Sequence, residues 1–173
     1  MREIGPASVN QVIQAYEGDS KVLELTSQWP NLPFMRLVLV RIAQRPVDQI
    51  LQLAWKLYEL DKDDFLKKVY AVWCDPPHCI FTWTFGEMLD RLDATTWRPD
   101  PEKWKNVQVQ IPDWKKTPLP ELTPVMGYYQ GPGTIHPGCI NLEDGHTRLT
   151  AAHLAGSFPR VIRMYIGEPP VRA

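Results

Sequence analysis

Near the C-terminus the chain reads Glu143-Asp144-Gly145-His146-Thr147-Arg148, followed by Leu149, Ala151-Ala152 and Gly156. Two carboxylates, a glycine and three side chains able to donate hydrogen bonds stand in one short stretch. If a helix starts there, Asp144 can cap it by accepting a backbone N–H. Gly145 permits a sharp turn and the close approach of another group. The first N–H groups then point outward at the positive end of the helix dipole, which is a general anion site. His146 and Thr147 add donors, and Arg148 can grip phosphate oxygens in a fork. Ala151 and Ala152 let the helix lie close to a sheet. The chemistry expected is phosphate binding by Gly145, His146, Thr147 and Arg148, with a nucleotide phosphate as the natural ligand. Glu143 and Asp144 are the candidate catalytic residues, since a carboxylate beside a nucleotide can hold Mg2+ or take a proton from a hydroxyl. The plainer alternative is a solvated Glu143, an Asp144 that only caps, and an Arg148 paired with a carboxylate.

The flanking elements suit this arrangement. CINLE predicts a short strand, Asp144-Gly145 a turn, and His146 to Ala155 a helix stopped by Gly156. RVIRMYIG predicts a second strand. Upstream, the pattern is helical. SVNQVIQAY has a Ser cap ahead of apolar residues. PVDQILQLAWKLYEL opens on Pro46, and Ile50, Leu53, Ala54, Leu57 and Leu60 fall at helical spacing. DKDDFLKKVYAVW places acids before lysines, as the helix dipole prefers. Thr84 to Glu87 is a capping-box pattern ahead of MLDRL. Between Thr95 and Pro124 the chain is rich in Pro, Trp and charge. Within that stretch VQVQI alternates as a short strand does, and PELTPVMGYYQ predicts a short helix or turn.

The run from Asp144 to Leu149, with Ala151-Ala152, Gly156 and the strand RVIRMYI, resembles the ParB/sulfiredoxin superfamily, in wording closest to its ParB-like nuclease-domain branch. The likeness covers about thirty residues. It implies that the turn binds nucleotide phosphates, ATP, ADP or CTP, with Mg2+ as a candidate cation. It also implies activities of an NTPase, a small-molecule kinase or a nuclease. Departures are visible. His146 stands where sulfiredoxin has its catalytic cysteine, so that repair chemistry is not supported. His146-Thr147-Arg148 replaces a Glu-Arg-Arg run of ParB proteins, with one basic ligand fewer. No helix-turn-helix pattern follows the motif, an expectation against centromere binding of the partition type.

Composition narrows the classes further. The 173 residues are 44% apolar, with 19 Lys and Arg against 20 Asp and Glu, a net charge of −1. Such balance gives no global basic footprint for nucleic acid. The N-terminus has no apolar secretory core, and LPFMRLVLVRIA is too short and too charged to span a membrane. Three cysteines argue against a closed disulfide framework and for a reducing cytoplasm. Cys74, His78, Cys79, His136 and Cys139 include zinc-ligand types at spacing that matches no recognised finger. Buried cysteines and loop histidines are the alternative. Trp97, Trp104 and Trp114 stand among lysines and could stack bases or pin a loop to the core. His153, two turns after His146, reads as a packed histidine.

The expectation is an α+β protein: a helical region over 1–94, a connecting segment over 95–124, and a ParB-like strand-turn-helix-strand module over 125–173 packed with that segment. Its expected function is nucleotide binding, with hydrolysis or phosphoryl transfer as the reaction. The rivals are a nucleic-acid-binding or nuclease protein and an inactive adaptor that meets a protein partner through its N-terminal helices. No membrane is expected as a partner.

Overall fold

The computed structural model describes residues 1–8, 11–12, 15, 53–71, 82–116, 122, 124–129 and 137–168. They form an α+β arrangement of four helices and a six-stranded mixed sheet. The strands are β1 (Arg2–Pro6), β2 (Ala54–Asp61), β3 (Val69–Ala71), β4 (Val125–Tyr129), β5 (Ile140–Asp144) and β6 (Val161–Glu168). The helices are α1 (Lys62–Lys68), α2 (Phe85–Asp93), α3 (Pro101–Trp114) and α4 (His146–Leu154).

The sheet order is β1-β2-β6-β4-β5-β3. β4 runs antiparallel to β5 and parallel to β6, so the chain leaves β5, crosses β4 as α4 and returns as β6 on the far side. β2 adds antiparallel to β6, and β3 adds parallel to β5 at the other flank. Residues 54–71 therefore supply both flanks of the strands formed by 125–168. The segment 95–124 does not part a helical unit from a sheet unit, because strands from both sides of it share one sheet.

Local chemistry explains the helices. Asp61 caps α1 by accepting from the backbone N–H of Asp64, with acids in the first turn and lysines in the last. Thr84 and Glu87 form the expected reciprocal capping box at α2. Ser8 and Gln11 make a similar exchange, the Ser8 N–H donating to Gln11 Oε1 (2.7 Å) and the Gln11 N–H to Ser8 Oγ (3.2 Å). Gln11 and Val12 are helical, as SVNQVIQAY predicts for these positions.

Four sequence expectations fail. The helix expected through DKDDFLKKVYAVW ends at Lys68, and Val69–Ala71 is strand β3, paired with β5. Ala54 to Leu60 is strand β2, not helix. The apolar positions fit either period, and pairing with β1 and β6 decides between them. VQVQI lies inside α3, not in a strand. Asp100 accepts from the backbone of Glu102 and Lys103, and Pro101 follows it in the first turn. Trp104, Val107, Ile111 and Trp114 then share a helical stripe. Val107 is fully buried while Val109 is 66% exposed, which a strand face holding both would not give. PELTPVMGYYQ contributes β4 through Val125–Tyr129, not a helix or turn. The predicted elements over 16–52 lie outside the described residues.

One face of the sheet carries the core. Tyr58, Leu60, Val125, Ile140, Leu142, Ile162, Met164 and Ile166 meet Phe65, Phe85, Met88, Leu92, Val107, Leu149, Ala151 and Ala152 from the helices. Phe65 and Phe85 meet edge to face at 5.4 Å. Among the described residues, no helix is long and apolar enough to cross a membrane.

Candidate site at the start of helix α4

β5, α4 and β6 form where the sequence predicts them. The turn between β5 and α4 differs in one respect. Gly145, not Asp144, is the N-cap of α4, and its φ of +107° favours glycine. A Cβ there would lie 2.4 Å from Val125 Cγ1 and 2.9 Å from Val125 Cβ. Glycine is thus required twice: for the backbone angle, and for the approach of the turn to the first residue of β4. Val125 is a part of this turn that no local pattern signals.

Asp144 is used otherwise than expected. Its Oδ2 accepts from Arg148 Nη2, one helical turn on, in an ion pair with side chains 26% and 28% exposed for Arg148 and Asp144. This matches the plainer sequence reading of Arg148. Glu143 is half-buried. It stands at the register shift between β5 and β4, where Met126 pairs with Asp144 and Gly127 with Leu142. Of the two candidate catalytic carboxylates, Asp144 is engaged at the helix start and Glu143 stands at the bulge just before it.

His146, Thr147 and Arg148 are all half-buried in the first turn. The His146 ring packs 6.3 Å from Phe85 with its Nε2 buried, so this residue serves the core as well as the turn. Ala151 and Ala152 are fully buried, as close packing of helix on sheet requires. Gly156 has φ +74° and ends the helix as predicted. The His153 Nε2–H donates to Asp93 Oδ2 at 2.9 Å, joining α4 to α2, and the ring packs near Phe158. The turn can present backbone N–H groups and the Thr147 and Arg148 side chains to an anion, provided Arg148 is shared with Asp144.

The remaining sequence candidates fall into place or outside the described residues. Cys74, His78, Cys79 and His136 are not among those described, and Cys139 is half-buried beside Tyr70. Among the described residues no group of three or more His, Cys, Asp and Glu side chains could hold a metal ion. Trp114 is buried, and Trp97 and Trp104 pack on the core. Arg98 lies over the Trp104 ring at 5.1 Å, Arg91 over Trp83 at 4.2 Å, and Trp83 meets Trp97 edge to face. The Trp104 and Trp83 rings are thus each met by one of the protein's own guanidinium groups.

A polar cluster at the far end of the sheet has no signal in the sequence, because its members lie far apart in the chain. Lys56 Nζ is 3.2 Å from Glu3 and 3.1 Å from Glu168. The Tyr58 hydroxyl donates to Glu168 and lies 3.4 Å from Glu3. Burial, with the Glu168 carboxylate next, pushes the Tyr58 phenol well above its ordinary value, and hydrogen bonds to Glu168 and Glu3 raise Lys56. A neutral phenol and a charged ammonium between two carboxylates make this a joint between β1, β2 and β6. No protein-family model, no curated protein and no solved structure matches the chain.

Proposed function

We propose that the β5–α4 turn binds a phosphate-bearing ligand, a nucleoside di- or triphosphate, with Mg2+ as the accompanying cation. The observation that carries this reading is the construction of the turn. A left-handed glycine is the N-cap, so no side chain covers the helix start, and Thr147 and Arg148 flank the outward-pointing N–H groups. The Asp144 carboxylate fixes the Arg148 guanidinium over the first turn. A phosphate would compete with that carboxylate for the same donors and would gain from its higher charge. The resemblance of the motif to ParB/sulfiredoxin proteins supports the same ligand. The reading is one of binding, since the Asp144 carboxylate is engaged by Arg148.

A second reading, an adaptor that retains the fold without binding nucleotide, is favoured by the same Arg148–Asp144 pair, since it already neutralises the guanidinium. Thermal unfolding separates the two. Wild type and Arg148→Ala are melted with ATP, ADP, CTP and GTP, each with and without Mg2+. Ligand at a hundredfold excess over its Kd adds about 2.7 kcal/mol, or roughly 5–11 °C for a chain of this size. A rise with one nucleotide that Arg148→Ala abolishes supports the site. No shift at millimolar concentration with any of them refutes it and leaves the adaptor reading.

A further inference from the structure

Strand β1 is attached to the sheet differently from every other strand described. Arg2, Glu3, Ile4 and Pro6 are exposed and Gly5 is half-buried, with Ile4 47% exposed. No β1 side chain enters the core. Beside it, β2 buries Trp55, Tyr58 and Leu60. The β1–β2 ladder is broken by a register shift between Glu3 and Gly5, so Ile4 has no partner in it. Side-chain attachment is ionic. Arg2 pairs with Glu59, and Glu3 pairs with Lys56 and lies within reach of the Tyr58 hydroxyl. Glu59 is also bound by Arg163 of β6, and Lys56 by Glu168, so the β2 partners stay held without β1. Buried attachment begins only beyond the strand. The Ala7 N–H donates to the Trp55 carbonyl at 2.8 Å, and Val12 is buried.

We propose that β1 is a detachable strap, which opens from β2 about a pivot at Ala7 while the rest of the sheet stays paired. The clasp is the Arg2–Glu59 and Glu3–Lys56 ion pairs, with the Met1 amino group on Asp64 as a third tie just before the strand. Opening gives up no fully buried side chain of β1, so its free energy lies below that of global unfolding. It uncovers the backbone N–H and C=O groups of β2 that pair with β1.

Amide hydrogen exchange of the full chain, read by mass spectrometry, tests this. Exchange in 2–6 is compared with exchange in 161–168 at 0.05 M and 1 M NaCl, in wild type and in the Arg2→Gln/Glu3→Gln double variant. That variant removes the β1 side of both ion pairs and leaves β2 intact. The expected result is faster exchange in 2–6 than in 161–168 at low salt. Either 1 M salt or the double variant then speeds 2–6 by about 2- to 30-fold, with 161–168 unchanged. Equal protection of the two segments, or exchange in 2–6 indifferent to both salt and the double variant, overturns the proposal. The salt series on wild type needs no variant, so a folding defect in the variant leaves the test decisive.

Discussion

Gly145→Ala tests the construction of the turn directly. Two costs are involved, and the structure separates them. The φ of +107° is a conformation that an alanine adopts only under strain, about 1–3 kcal/mol. The new Cβ would also meet Val125 Cγ1 at 2.4 Å, and Val125 is fully buried and cannot swing away. Overpacking of this kind costs about 1–3 kcal/mol. The sum of about 2–6 kcal/mol corresponds to a fall in Tm of roughly 4–24 °C for a chain of this length. Gly156→Ala is the natural control. Its φ is +74°, yet nothing lies within 4 Å of the added Cβ, so only strain applies, about 1–2 kcal/mol. Denaturant unfolding of both variants gives the two free energies, and their difference is the Val125 contact. Repeating Gly145→Ala in a Val125→Ala background removes the nearer obstructing atom and lowers the cost of the substitution. If Gly145→Ala costs no more than Gly156→Ala, or costs the same with and without Val125, the turn is not built on that contact.

Further perturbations probe the rest of the fold. Phe65→Ala removes a fully buried ring packed on Phe85 and Phe158 and destabilises by about 3–5 kcal/mol in urea unfolding; a loss under about 1 kcal/mol would contradict that packing. Thr84→Ala removes one half of the capping box and costs about 0.5–2 kcal/mol by the same measurement. Thr150 is fully buried and its hydroxyl has no hydrogen-bond partner among the described residues, so Thr150→Val is neutral or stabilising by about 1 kcal/mol, and a clear loss would mean the hydroxyl is satisfied. Lys68 first, and then the amino group of Met1, hold the Asp64 carboxyl down at about 2 against an ordinary 3.8. A depressed acid stabilises the fold above its unfolded value and loses that contribution as pH falls through its folded value. The stability gap between wild type and Asp64→Asn is therefore full above pH 3.8 and closes toward pH 2. A gap that stays constant down that range in circular-dichroism acid titrations would deny the shift.

Local chemistry made several elements legible in the sequence alone. The capping patterns at Ser8 and Thr84, the acid-to-base gradient of α1, and the strand-glycine-helix-glycine-strand order from Ile140 to Glu168 all depend on residues a few positions apart. Their energetics are fixed by nearest neighbours, so a linear reading recovers them. Elements whose state depends on distant partners were not legible. Ala54 to Leu60 carries apolar residues at positions that suit a helix, and only pairing with β1 and β6 turns it into a strand. VQVQI alternates, yet Asp100 and the stripe from Trp104 to Trp114 make it a helix packed through Val107. The candidate site divides along the same line. Its glycine, its first-turn donors and the chance that Arg148 pairs with a carboxylate stand in the sequence. That Asp144 is the carboxylate follows from its place one helical turn before Arg148, and that Val125 packs against Gly145 follows from the pairing of β4 with β5. The Val125 contact joins residues that only the assembled sheet brings together, and the same is true of the Glu3, Lys56, Tyr58 and Glu168 joint.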